Sequence, residues 1–576
     1  MVFITREILK KCSWQAFERL IARLLIVRGY EGVRVVGGSG DKGADIIAIK
    51  NRRRWLIQAK HWRKPIGKNI LKGTIEAGQA YRAKATVVVG LEGFDDSARD
   101  YQKSIIAQGH NLTLWSSSEL VEQAQGLQES DYYIEPKGDY QDEAIKAIVE
   151  SIRRGSPNKG MVVMATGLGK TFTAAESIRR IRKLKKNFRV LVLAHTVSLV
   201  EQLERAFWPF LGPRDSTLVW TQNEPVGYEQ LASATMVFAS RDSVANHCKS
   251  GRELDGFDLV LIDECHHAHS SSKAYLQIIN TARAGEPGGP YLLGLTATPF
   301  LADSTARLEP IFGDYPLITI DMVYGLRHGF LSQIDYRMHT DNIRWEGLKD
   351  LTGNNLSPKQ INRALFVKEW DDAVVNEIQN AWNEIKDPKA IVFCGTIEHA
   401  MMVCNQINAR SFCRASVIFS GEYNGKRLSQ HERNLLLCDF QQGDINIICT
   451  VDIFNEGLDV PDVNIIVFNR VTHSRRIFIQ QLGRGLRIAK GKHSTLVLDF
   501  AQDIRRLAAG LKLKDGIMVP PKGGVTVSIG NKVVFKRVGG EDQKAEAFLR
   551  AWIEDVERLE SAGEDIGILK FPPELS

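Results

Sequence analysis

Residues 161–171, MVVMATGLGKT, lead from an apolar run into a glycine-rich loop that ends in Gly-Lys-Thr. The run is typical of a buried strand, and a helical stretch follows the loop. Glycines let backbone amides wrap phosphate oxygens, Lys170 can reach terminal phosphates, and the Thr171 hydroxyl can bind Mg²⁺. Met164 replaces the first glycine of the strict pattern, so a strand-to-helix turn without a ligand remains the alternative.

A second apolar run removes most of that ambiguity. Residues 257–267, FDLVLIDECHH, read as a buried strand that ends in Asp263 and Glu264. An aspartate at a strand end can hold Mg²⁺ through water, and the next glutamate can activate the attacking water. We interpret His266 and His267 as coupling or packing residues, because no Cys or His set with metal-ligand spacing lies nearby.

Short apolar runs alternate with helical stretches from about residue 136 onward. Such runs are typical of parallel strands that helices cover on both faces. The predicted strands are GMVVMAT, RVLVLAH, TMVFAS, FDLVLIDE and YLLGLTAT in a first set, and KAIVFCG, ASVIFSG, INIICT, VNIIVFN and STLVLDF in a second. We therefore expect two α/β domains, at residues 136–330 and 386–510, separated by an inter-lobe region at 331–385.

These stretches resemble the ordered motifs of superfamily 2 helicases of the DEAH/DECH kind, most closely the helicase subunits of type III restriction enzymes. The matching stretches are GDYQDEAI, MATGLGKT, VLVLAHTVSLVEQ, DECH, TATP, IVFCGT, TVDIFNEGLDVPDV and QQLGRGLR. The resemblance, over roughly residues 136–500, implies two RecA-like lobes that use ATP and Mg²⁺. It implies nucleotide binding by Gln141, Thr166, Gly167, Gly169, Lys170, Thr171, Asp263, Asp459 and Gln480, with Thr171 and Asp263 as Mg²⁺ ligands. It implies catalytic roles for Glu264, Arg484 and Arg487.

Two arginines of the last stretch have a role that depends on movement. The resemblance places Arg484 and Arg487 across the cleft from Lys170. Arginine can stabilise the charge that develops on the γ-phosphate, and only when the two lobes close. ATP would then switch lobe closure. A translocase that moves on duplex without separating the strands remains the narrower alternative to a helicase.

Three polar residues converge in a predicted hairpin near the N-terminus. Asp45 lies on the strand ADIIAIK, and Gln58 and Lys60 lie on the strand WLIQAKHW. Alternation puts Gln58 and Lys60 on one face, where a cross-strand Asp45 can join them. A carboxylate and a side-chain carbonyl can bind Mg²⁺, and a lysine can stabilise the transition state of phosphodiester hydrolysis.

This arrangement resembles the PD-(D/E)xK nucleases, and more closely the Mrr-like restriction endonucleases, over roughly residues 10–123. The resemblance implies that Gln58 replaces the second acid and that Glu18 on the first helix joins the site. The implied catalytic residues are thus Glu18, Asp45, Gln58 and Lys60, with Asp45 and Gln58 as Mg²⁺ ligands. The same spacing also occurs by chance, so a domain that only binds DNA remains an alternative.

Basic charge is concentrated in the same region. Residues 1–125 hold 21 Lys and Arg against 12 Asp and Glu, a net charge of +9 in a chain of net charge +7. Such a segment suits a polyanion such as nucleic acid, although a basic surface without a partner has the same composition. Residues that could contact phosphates around the proposed site are Arg52, Arg53, Arg54, His61, Trp62, Arg63 and Lys64.

Length and composition bound the class of protein. At 576 residues, with 44% hydrophobic and 25% charged, the chain is typical of a multi-domain soluble protein. No uncharged apolar run approaches the roughly 18–20 residues that cross a bilayer, and the N-terminus lacks the apolar core of a secretory signal. Eight cysteines without a CxxC pair argue against a disulfide framework, so we expect a cytoplasmic protein without a membrane partner.

The sequence thus predicts an α/β chain with four parts. They are a restriction-endonuclease-like domain at residues 1–125, a linker at 126–135, the two RecA-like lobes, and a small α+β module at 511–576. The module holds a predicted hairpin, VTVSIGNKVVFKRV, that turns at Gly530 and Asn531, and a helix near residues 542–560.

The expected activity is ATP-driven movement on DNA coupled to Mg²⁺-dependent cleavage, in prokaryotic restriction or antiphage defence. The DNA would be double-stranded, or single-stranded during translocation. A repair or remodelling helicase whose nuclease-like domain only binds DNA remains an alternative, as does an RNA helicase. Homo-oligomers and defence-system partner proteins also stay open.

Overall fold

The computed structural model describes most of the chain in two compact units. The described residues are 3–36, 43–127, 136, 138–211, 215, 217–297, 307–340, 355–356, 371–419, 421–423, 427–451, 462–469, 481–483, 485–489, 491–500, 511, 513–515, 517, 532–537, 540–541, 543, 546–547 and 569–570. The first unit comprises Met1–Lys137, Ala175–Leu259 and Arg427–Gly443, and the second comprises Gly138–Ala174, Val260–Lys426 and Asp444–Ser576.

The helices and strands that the structure describes have the following bounds along the chain. The helices are α1 Arg6–Lys11, α2 Trp14–Val27, α3 Lys68–Ala80, α4 Asp96–Ala107, α5 Ser117–Gln125, α6 Asp139–Arg154, α7 Lys170–Leu184, α8 Val197–Phe207, α9 Tyr228–Ser233, α10 Arg241–Lys249, α11 Lys273–Ala282, α12 Glu309–Phe312, α13 Met322–Arg327, α14 Asp371–Glu384, α15 Ile397–Ala409 and α16 Gln430–Gln442. The strands are β1 Glu31–Val35, β2 Ile46–Lys50, β3 Arg53–Lys60, β4 Ala85–Gly90, β5 Leu112–Ser116, β6 Lys159–Met164, β7 Val190–Ala194, β8 Thr217–Trp220, β9 Met236–Ser240, β10 Leu259–Ile262, β11 Tyr291–Thr296, β12 Ile318–Ile320, β13 Gln333–His339, β14 Asn355–Leu356, β15 Ala390–Cys394, β16 Ala415–Phe419, β17 Ile447–Val451, β18 Ile465–Asn469, β19 Ser494–Phe500, β20 Lys532–Arg537, β21 Gly540–Glu541 and β22 Leu569–Lys570.

In the first unit, a five-stranded mixed sheet carries the N-terminal region. Its strand order is β1-β2-β3-β4-β5. The pairs β1–β2 and β2–β3 are antiparallel, whereas β3–β4 and β4–β5 are parallel. The predicted hairpin between the strands that carry Asp45 and Lys60 is therefore confirmed. Helix α2, which Ser13 caps by accepting a hydrogen bond from the Ala16 amide, packs on β1, β2 and β3.

The same unit contains a second set of strands and helices. Strands β7, β9 and β8 are parallel neighbours in that order. Helix α2 is joined to this set by Arg19, whose Nε lies 2.9 Å from a Glu204 oxygen and whose Nη2 donates to Glu224 at 3.1 Å. Arg23 also donates to the carbonyl of Leu211 at 3.3 Å. These buried guanidinium groups fix the first long helix against the segment at residues 204–224.

In the second unit, parallel strands dominate. Strand β6 pairs in parallel with β11 and β12, and β10 follows β11 in the strand order. A further sheet has the order β16-β17-β15-β18-β19-β13-β20-β21. Its pairs are parallel except for β20–β21.

The predicted fold class is confirmed. All ten predicted strands of the two sets are present, and the fold is α/β with a mixed N-terminal sheet and two RecA-like lobes. Strand β20, from the predicted C-terminal hairpin, pairs in parallel with β13. The predicted turn at Gly530 and Asn531 lies outside the described residues. Among the described residues, no helix is both long and apolar enough to span a membrane.

A buried ion pair attaches helix α16 to the N-terminal sheet. Arg54 on β3 is 2% exposed. Its guanidinium donates to Asp439 at 2.8 Å, to Gln442 at 3.0 Å and to the carbonyl of Tyr81 at 2.7 Å. Cys438 packs in the same hydrophobic cluster as Leu56 and Tyr81. Helix α16 therefore completes one side of this core.

Loss of the Asp439 carboxylate should destabilise the first unit strongly. The Asp439→Ala change leaves the Arg54 charge buried without its carboxylate, which typically costs about 3–5 kcal/mol. We expect the earliest transition in urea unfolding, followed by tryptophan fluorescence, to move to lower denaturant. The double variant Arg54→Met, Asp439→Leu should recover most of the loss, because it removes both charges.

The matched control for that experiment is Asp100→Ala. Asp100 pairs with Lys103 on the surface of α4, and both side chains are more than three-quarters exposed. Exposed pairs contribute little, so its unfolding curve should overlay that of the parent. An Asp439→Ala curve that also overlaid the parent would contradict the structural role of the Arg54 pair.

Candidate active sites

The glycine-rich loop between β6 and α7 has the backbone shape that phosphate binding needs. Gly167 and Gly169 have φ angles of 94° and 89°, which residues with a Cβ rarely adopt. The loop leads directly into α7, whose first residue is Lys170. Thr166 and Thr171 are both partly exposed. The loop amides and the start of a helix thus share one partly open surface, as in anion sites at helix N-termini.

The side chains of Gln141 and Tyr140 form hydrogen bonds with the backbone of this loop. The side-chain amide of Gln141 donates to the carbonyl of Leu168 at 2.8 Å, and the Tyr140 hydroxyl donates to the same oxygen at 3.0 Å. Gln141 is 1% exposed, and its amide nitrogen faces Gly169. Gln141, which the resemblance implies as a nucleotide-binding residue, therefore contacts the loop backbone in this structure. Burial raises the pKa of Tyr140 to about 12, so its hydroxyl stays a donor.

Lys170 meets the predicted acidic pair. Its Nζ lies 2.5 Å from Glu264 and 3.6 Å from Asp263. Burial alone would raise the pKa of Glu264, but the Lys170 ammonium outweighs it and holds the pKa of that carboxyl well below its usual range. Burial raises the pKa of Asp263, which Lys170 offsets only in part. The structure thus brings together the three residues that the sequence assigned to ATP chemistry.

His266 connects Glu264 to the strand that ends in Thr296. Its Nδ1 lies 3.0 Å from the Thr296 hydroxyl and 3.4 Å from a Glu264 oxygen. Both His266 and Thr296 are buried. Glu264 itself has a φ of 47°, a left-handed conformation that is uncommon outside glycine. The geometry fits the predicted coupling role of His266, and Thr298 and Pro299 of the same stretch lie outside the described residues.

A helical segment at Gly483 packs directly on the phosphate loop. A Cβ at Gly483 would lie 2.7 Å from Thr166 Cβ and 2.9 Å from the Thr166 carbonyl oxygen. A Cβ at Gly167 would in turn lie 3.4 Å from Arg487 Cγ. The aliphatic part of the Arg487 side chain therefore reaches the loop, and its predicted catalytic role stays a prediction. Arg484, Gln480 and Asp459 lie outside the described residues.

Lys492 supports the C-terminal end of this helical segment, and it was not predicted because it belongs to no recognised sequence motif. Its Nζ donates to the carbonyl of Gly485, and Thr495 donates to the same oxygen at 2.8 Å. Burial lowers the pKa of Lys492 to about 7, and Arg487 adds to that lowering. Lys492 thus positions the end of the segment through a backbone carbonyl.

The donor set at Asp263 fits a magnesium ion. Within the described part of the chain, no donor lies within hydrogen-bonding distance of the buried Asp263 Oδ1, and Lys170 Nζ lies 3.6 Å from it. A buried carboxylate oxygen in this condition accommodates a cation or its water ligands. Thr171 could add a hydroxyl oxygen. No cluster of three or more His, Cys, Asp or Glu suited to a metal occurs among the described residues, so any Mg²⁺ here would also need phosphate or water oxygens.

In the N-terminal sheet, Asp45 and Lys60 are in contact. Asp45 Oδ2 accepts hydrogen bonds from the Ala59 amide at 2.7 Å and from Lys60 Nζ at 3.3 Å. Asp45 is 6% exposed, and the Lys60 side chain is 20% exposed. Lys60 ends β3, and Asp45 directly precedes β2. The antiparallel register of β2 and β3 thus brings the predicted carboxylate and lysine together.

Gln58 lies two residues before Lys60, and its side chain is held by contacts with α3 and with the loop before Asp45. The Thr74 hydroxyl, from α3, donates to Gln58 Oε1. A Cβ at Gly43 would lie 3.1 Å from Gln58 Nε2, so the loop before Asp45 passes close to this amide. Thr74 is fully buried and was not predicted from the sequence. Glu18, the fourth predicted residue, is 5% exposed on α2, which packs on β3.

The basic cluster predicted around this site divides into two groups. Arg52, Arg53, Arg63 and Lys64 are exposed and available to phosphates. Arg54 is buried in the ion pair with Asp439, so the prediction that it contacts phosphates is wrong. The local sequence does not distinguish Arg54 from its basic neighbours, because its partner Asp439 lies 385 positions away. His61 lies 2.7 Å from the carbonyl of Leu9, in a structural contact.

Three family models match the chain in consecutive blocks. A restriction endonuclease model of the Mrr type matches residues 9–124. The model of the type III restriction enzyme res subunit matches residues 136–301. The model of the helicase conserved C-terminal domain matches residues 372–489. These blocks contain the N-terminal sheet, the first set of predicted strands and the second set except β19.

Individual relatives agree with these matches. A putative mitochondrial ATP-dependent helicase, irc3, from Schizosaccharomyces pombe is 29% identical over 64% of this chain and 58% of its own. The EcoAI endonuclease subunit, a type I restriction enzyme from Escherichia coli, is 28% identical over 64% of this chain and 47% of its own. The chain thus spans about half the length of these relatives.

One solved structure is similar over most of the chain. The type ISP restriction-modification enzyme LlaBIII bound to DNA aligns with 96% of this chain and 42% of its own, at 17% identity and a TM-score of 0.49. In order along the chain, the matches are thus to a restriction endonuclease model of the Mrr type, to the model of the type III restriction enzyme res subunit and to the model of the helicase conserved C-terminal domain.

Proposed function

We propose that the protein is an ATP-dependent DNA helicase or translocase that also cuts DNA with its N-terminal domain, in prokaryotic restriction or antiphage defence. The observation that carries the ATPase part is the contact of Lys170 with Glu264 and Asp263 beside the glycine loop. The similarity to a type I restriction enzyme subunit supports DNA as the polymer, and the proposed place of action is the cytoplasm.

Nucleotide binding would exchange the partners of Lys170. The ammonium would move from Glu264 to the β- and γ-phosphates, which the loop amides around Gly167 and Gly169 also receive. Glu264 would then lose the charge that depresses its pKa and become a better base for the attacking water. Thr171 and Asp263 would hold Mg²⁺, which when bound neutralises charge on the phosphate oxygens.

The helical segment at Gly483 would respond to the state of the loop. Gly483 and Arg487 pack against Thr166 and Gly167, so binding of a phosphate at the loop would change the surroundings of Arg487. Arg487, with Arg484, would stabilise charge that develops as the γ-phosphate leaves. His266 would pass the change at Glu264 to Thr296. Strand separation and duplex translocation are both compatible with this cycle.

In the N-terminal domain, the proposed reaction is phosphodiester hydrolysis. Asp45 and Gln58 would hold Mg²⁺, which when bound activates water and polarises the scissile phosphate. Lys60, beside Asp45 and partly exposed, would stabilise the charge on that phosphate. Glu18 would complete the acidic side of the site. The exposed Arg52, Arg53, Arg63 and Lys64 would bind flanking phosphates without reading sequence.

Two changes separate ATP binding from ATP hydrolysis. Lys170→Ala should lower DNA-stimulated ATP turnover by at least about 100-fold, because a preorganised phosphate contact is lost. Glu264→Gln should retain nucleotide binding, measured with a fluorescent ATP analogue, while hydrolysis falls by about 100- to 10,000-fold. Lys183→Ala, at the other end of α7, is the control and should turn over ATP like the parent. If Lys170→Ala hydrolysed ATP at the parental rate, the assignment of residues 164–171 as a phosphate-binding loop would be wrong.

The close packing of Gly483 gives a steric prediction. In Gly483→Ala, the new Cβ would meet the Thr166 backbone at less than 3 Å. Overpacking of this kind costs about 1–3 kcal/mol, which corresponds to a fall in ATP turnover of about 5- to 150-fold if the cost falls on the packed state. Gly73→Ala on α3, where a Cβ meets nothing within 4 Å, should leave turnover unchanged. Equal turnover by both variants would show that the helical segment at Gly483 does not pack on the loop during hydrolysis.

Cleavage and ATP hydrolysis should be separable. Asp45→Asn and Lys60→Ala should each reduce nicking of plasmid DNA in Mg²⁺ by about 100-fold or more, while DNA-stimulated ATP turnover persists. Both activities are measured on the same full-length preparations. Lys72→Ala, an exposed charge on α3, serves as the control for general loss of positive charge. Nicking by Asp45→Asn at the parental rate would refute the nuclease site.

A further inference from the structure

Two tryptophans in the N-terminal domain are exposed. Trp14 is 53% exposed and Trp62 is 39% exposed. The other tryptophans among the described residues, at positions 55, 115, 208, 220 and 382, are buried or partly buried. Burying an indole is strongly favourable, so a ring that the fold leaves in water is available to stack on a ligand.

Contacts between neighbouring residues place both indoles at one edge of the domain. Trp14 is the first residue of α2, and Phe17 on its next turn has its ring centroid 5.2 Å from that of His61. Cys12 Sγ also lies 3.9 Å from His61 Nε2. Trp62 directly follows His61. The start of α2 and the segment after β3 therefore lie side by side, with one exposed indole on each.

This edge adjoins the proposed nuclease residues along both elements. Trp14 and Glu18 are four residues apart on α2, which puts them on the same side of the helix. Trp62 lies two residues beyond Lys60, the end of β3. Lys60 in turn contacts Asp45. Each exposed ring thus lies within one helical turn or two residues of a side chain to which cleavage is assigned above.

Positive charge accompanies the rings. Lys64 Nζ lies 5.5 Å from the centroid of the Trp62 ring, and Arg63 and Lys64 are both exposed. Aromatic rings on which bases stack, next to cations that follow the backbone, are the pattern by which proteins bind single-stranded nucleic acid. A closed duplex offers the phosphates but not the faces of its bases, because those already stack on one another.

We propose that Trp14 and Trp62 form a stacking platform for the unpaired bases of single-stranded DNA, which leads one strand to Asp45 and Lys60. The inference rests on the proposed nuclease function for its consequence, and it names the substrate class of that site as unpaired DNA. A strand separated by the helicase domains would be such a substrate. The phosphate contacts come from Arg63 and Lys64, and the rings supply the preference for unpaired bases.

The test is direct binding by the full-length protein, without nucleotide and with a chelator so that nothing is cut. The probes are a fluorescein-labelled oligothymidylate and a duplex of equal length, followed by fluorescence anisotropy. Trp14→Ala and Trp62→Ala should each weaken oligothymidylate binding by between about 5-fold and about 150-fold, the range for loss of one stacked base. Duplex affinity should change by less than about 2-fold, because a duplex does not offer base faces.

Three further measurements distinguish stacking from charge and from misfolding. The Trp62→Ala change should leave the salt dependence of binding unchanged, whereas Lys64→Ala should lower its slope by about 0.7 on a single strand. Trp14→Phe and Trp62→Phe should restore most of the affinity because they keep an aromatic face. Tyr228→Ala removes a more exposed ring, 81% exposed, outside this domain, and should bind like the parent.

The stacking platform and the nuclease function can therefore be refuted independently of each other. If the parent binds oligothymidylate through the two rings but cuts no DNA in Mg²⁺, the platform stands and the nuclease function falls. If the parent cuts, and the double variant Trp14→Ala, Trp62→Ala binds and cuts single strands as the parent does, the platform is overturned while the nuclease function stands. If the tryptophan variants lost equal affinity for the single strand and for the duplex, the platform would also be overturned, because the rings would then stabilise the fold and not bind unpaired bases.

Discussion

A buried ammonium keeps its charge only while anions face it, and the proposed nucleotide site is arranged around this constraint at Lys170. The Lys170 side chain is 10% exposed. Burial alone lowers the pKa of Lys170, and Glu264 and Asp263 outweigh that effect and raise it. Because an unpaired buried charge is very costly, Lys170 can leave Glu264 only for another anion. Phosphate oxygens at the adjoining loop would meet that requirement, so the proposed exchange at Lys170 would proceed from one ion pair to another.

The fold was largely predictable because its central strands are hydrophobic throughout. The ten runs predicted as strands are buried on both faces by helices, and such strands carry their signal in composition alone. Strands β8 and β12 are short edge strands and gave no such signal. Strand β13 alternates polar and apolar residues although it lies between β19 and β20. Its Arg337 is satisfied by Asp335 and Glu384, and the Glu384 partner lies 47 positions away.

The sites were predictable where a single stretch of sequence carries the chemistry. Lys170, Asp263 and Glu264 each follow or end a buried strand, and parallel packing brings those strand ends together. Contacts that depend on distant segments were not predictable, because nothing local encodes them. They include the hydrogen bond from Thr74 to Gln58, the contact of Gln141 with Leu168, and the burial of Arg54. In each case the hydrogen-bond partner of a polar side chain is distant in the sequence, and only the fold brings the two residues together.

The N-terminal sheet is not a complete folding unit by itself. Its hydrophobic cluster includes Cys438, and Asp439 neutralises Arg54 in the middle of β3, although both residues belong to helix α16. A fragment that ends at residue 125 would expose the apolar side of that cluster and leave the Arg54 guanidinium without its carboxylate. The end of β3 that carries Arg54 would lose its packing first, and Gln58 and Lys60 lie on the same strand. Inactivity of such a fragment would therefore reflect a disturbed strand as readily as absent chemistry, and only the full chain presents the nuclease residues on an intact β3.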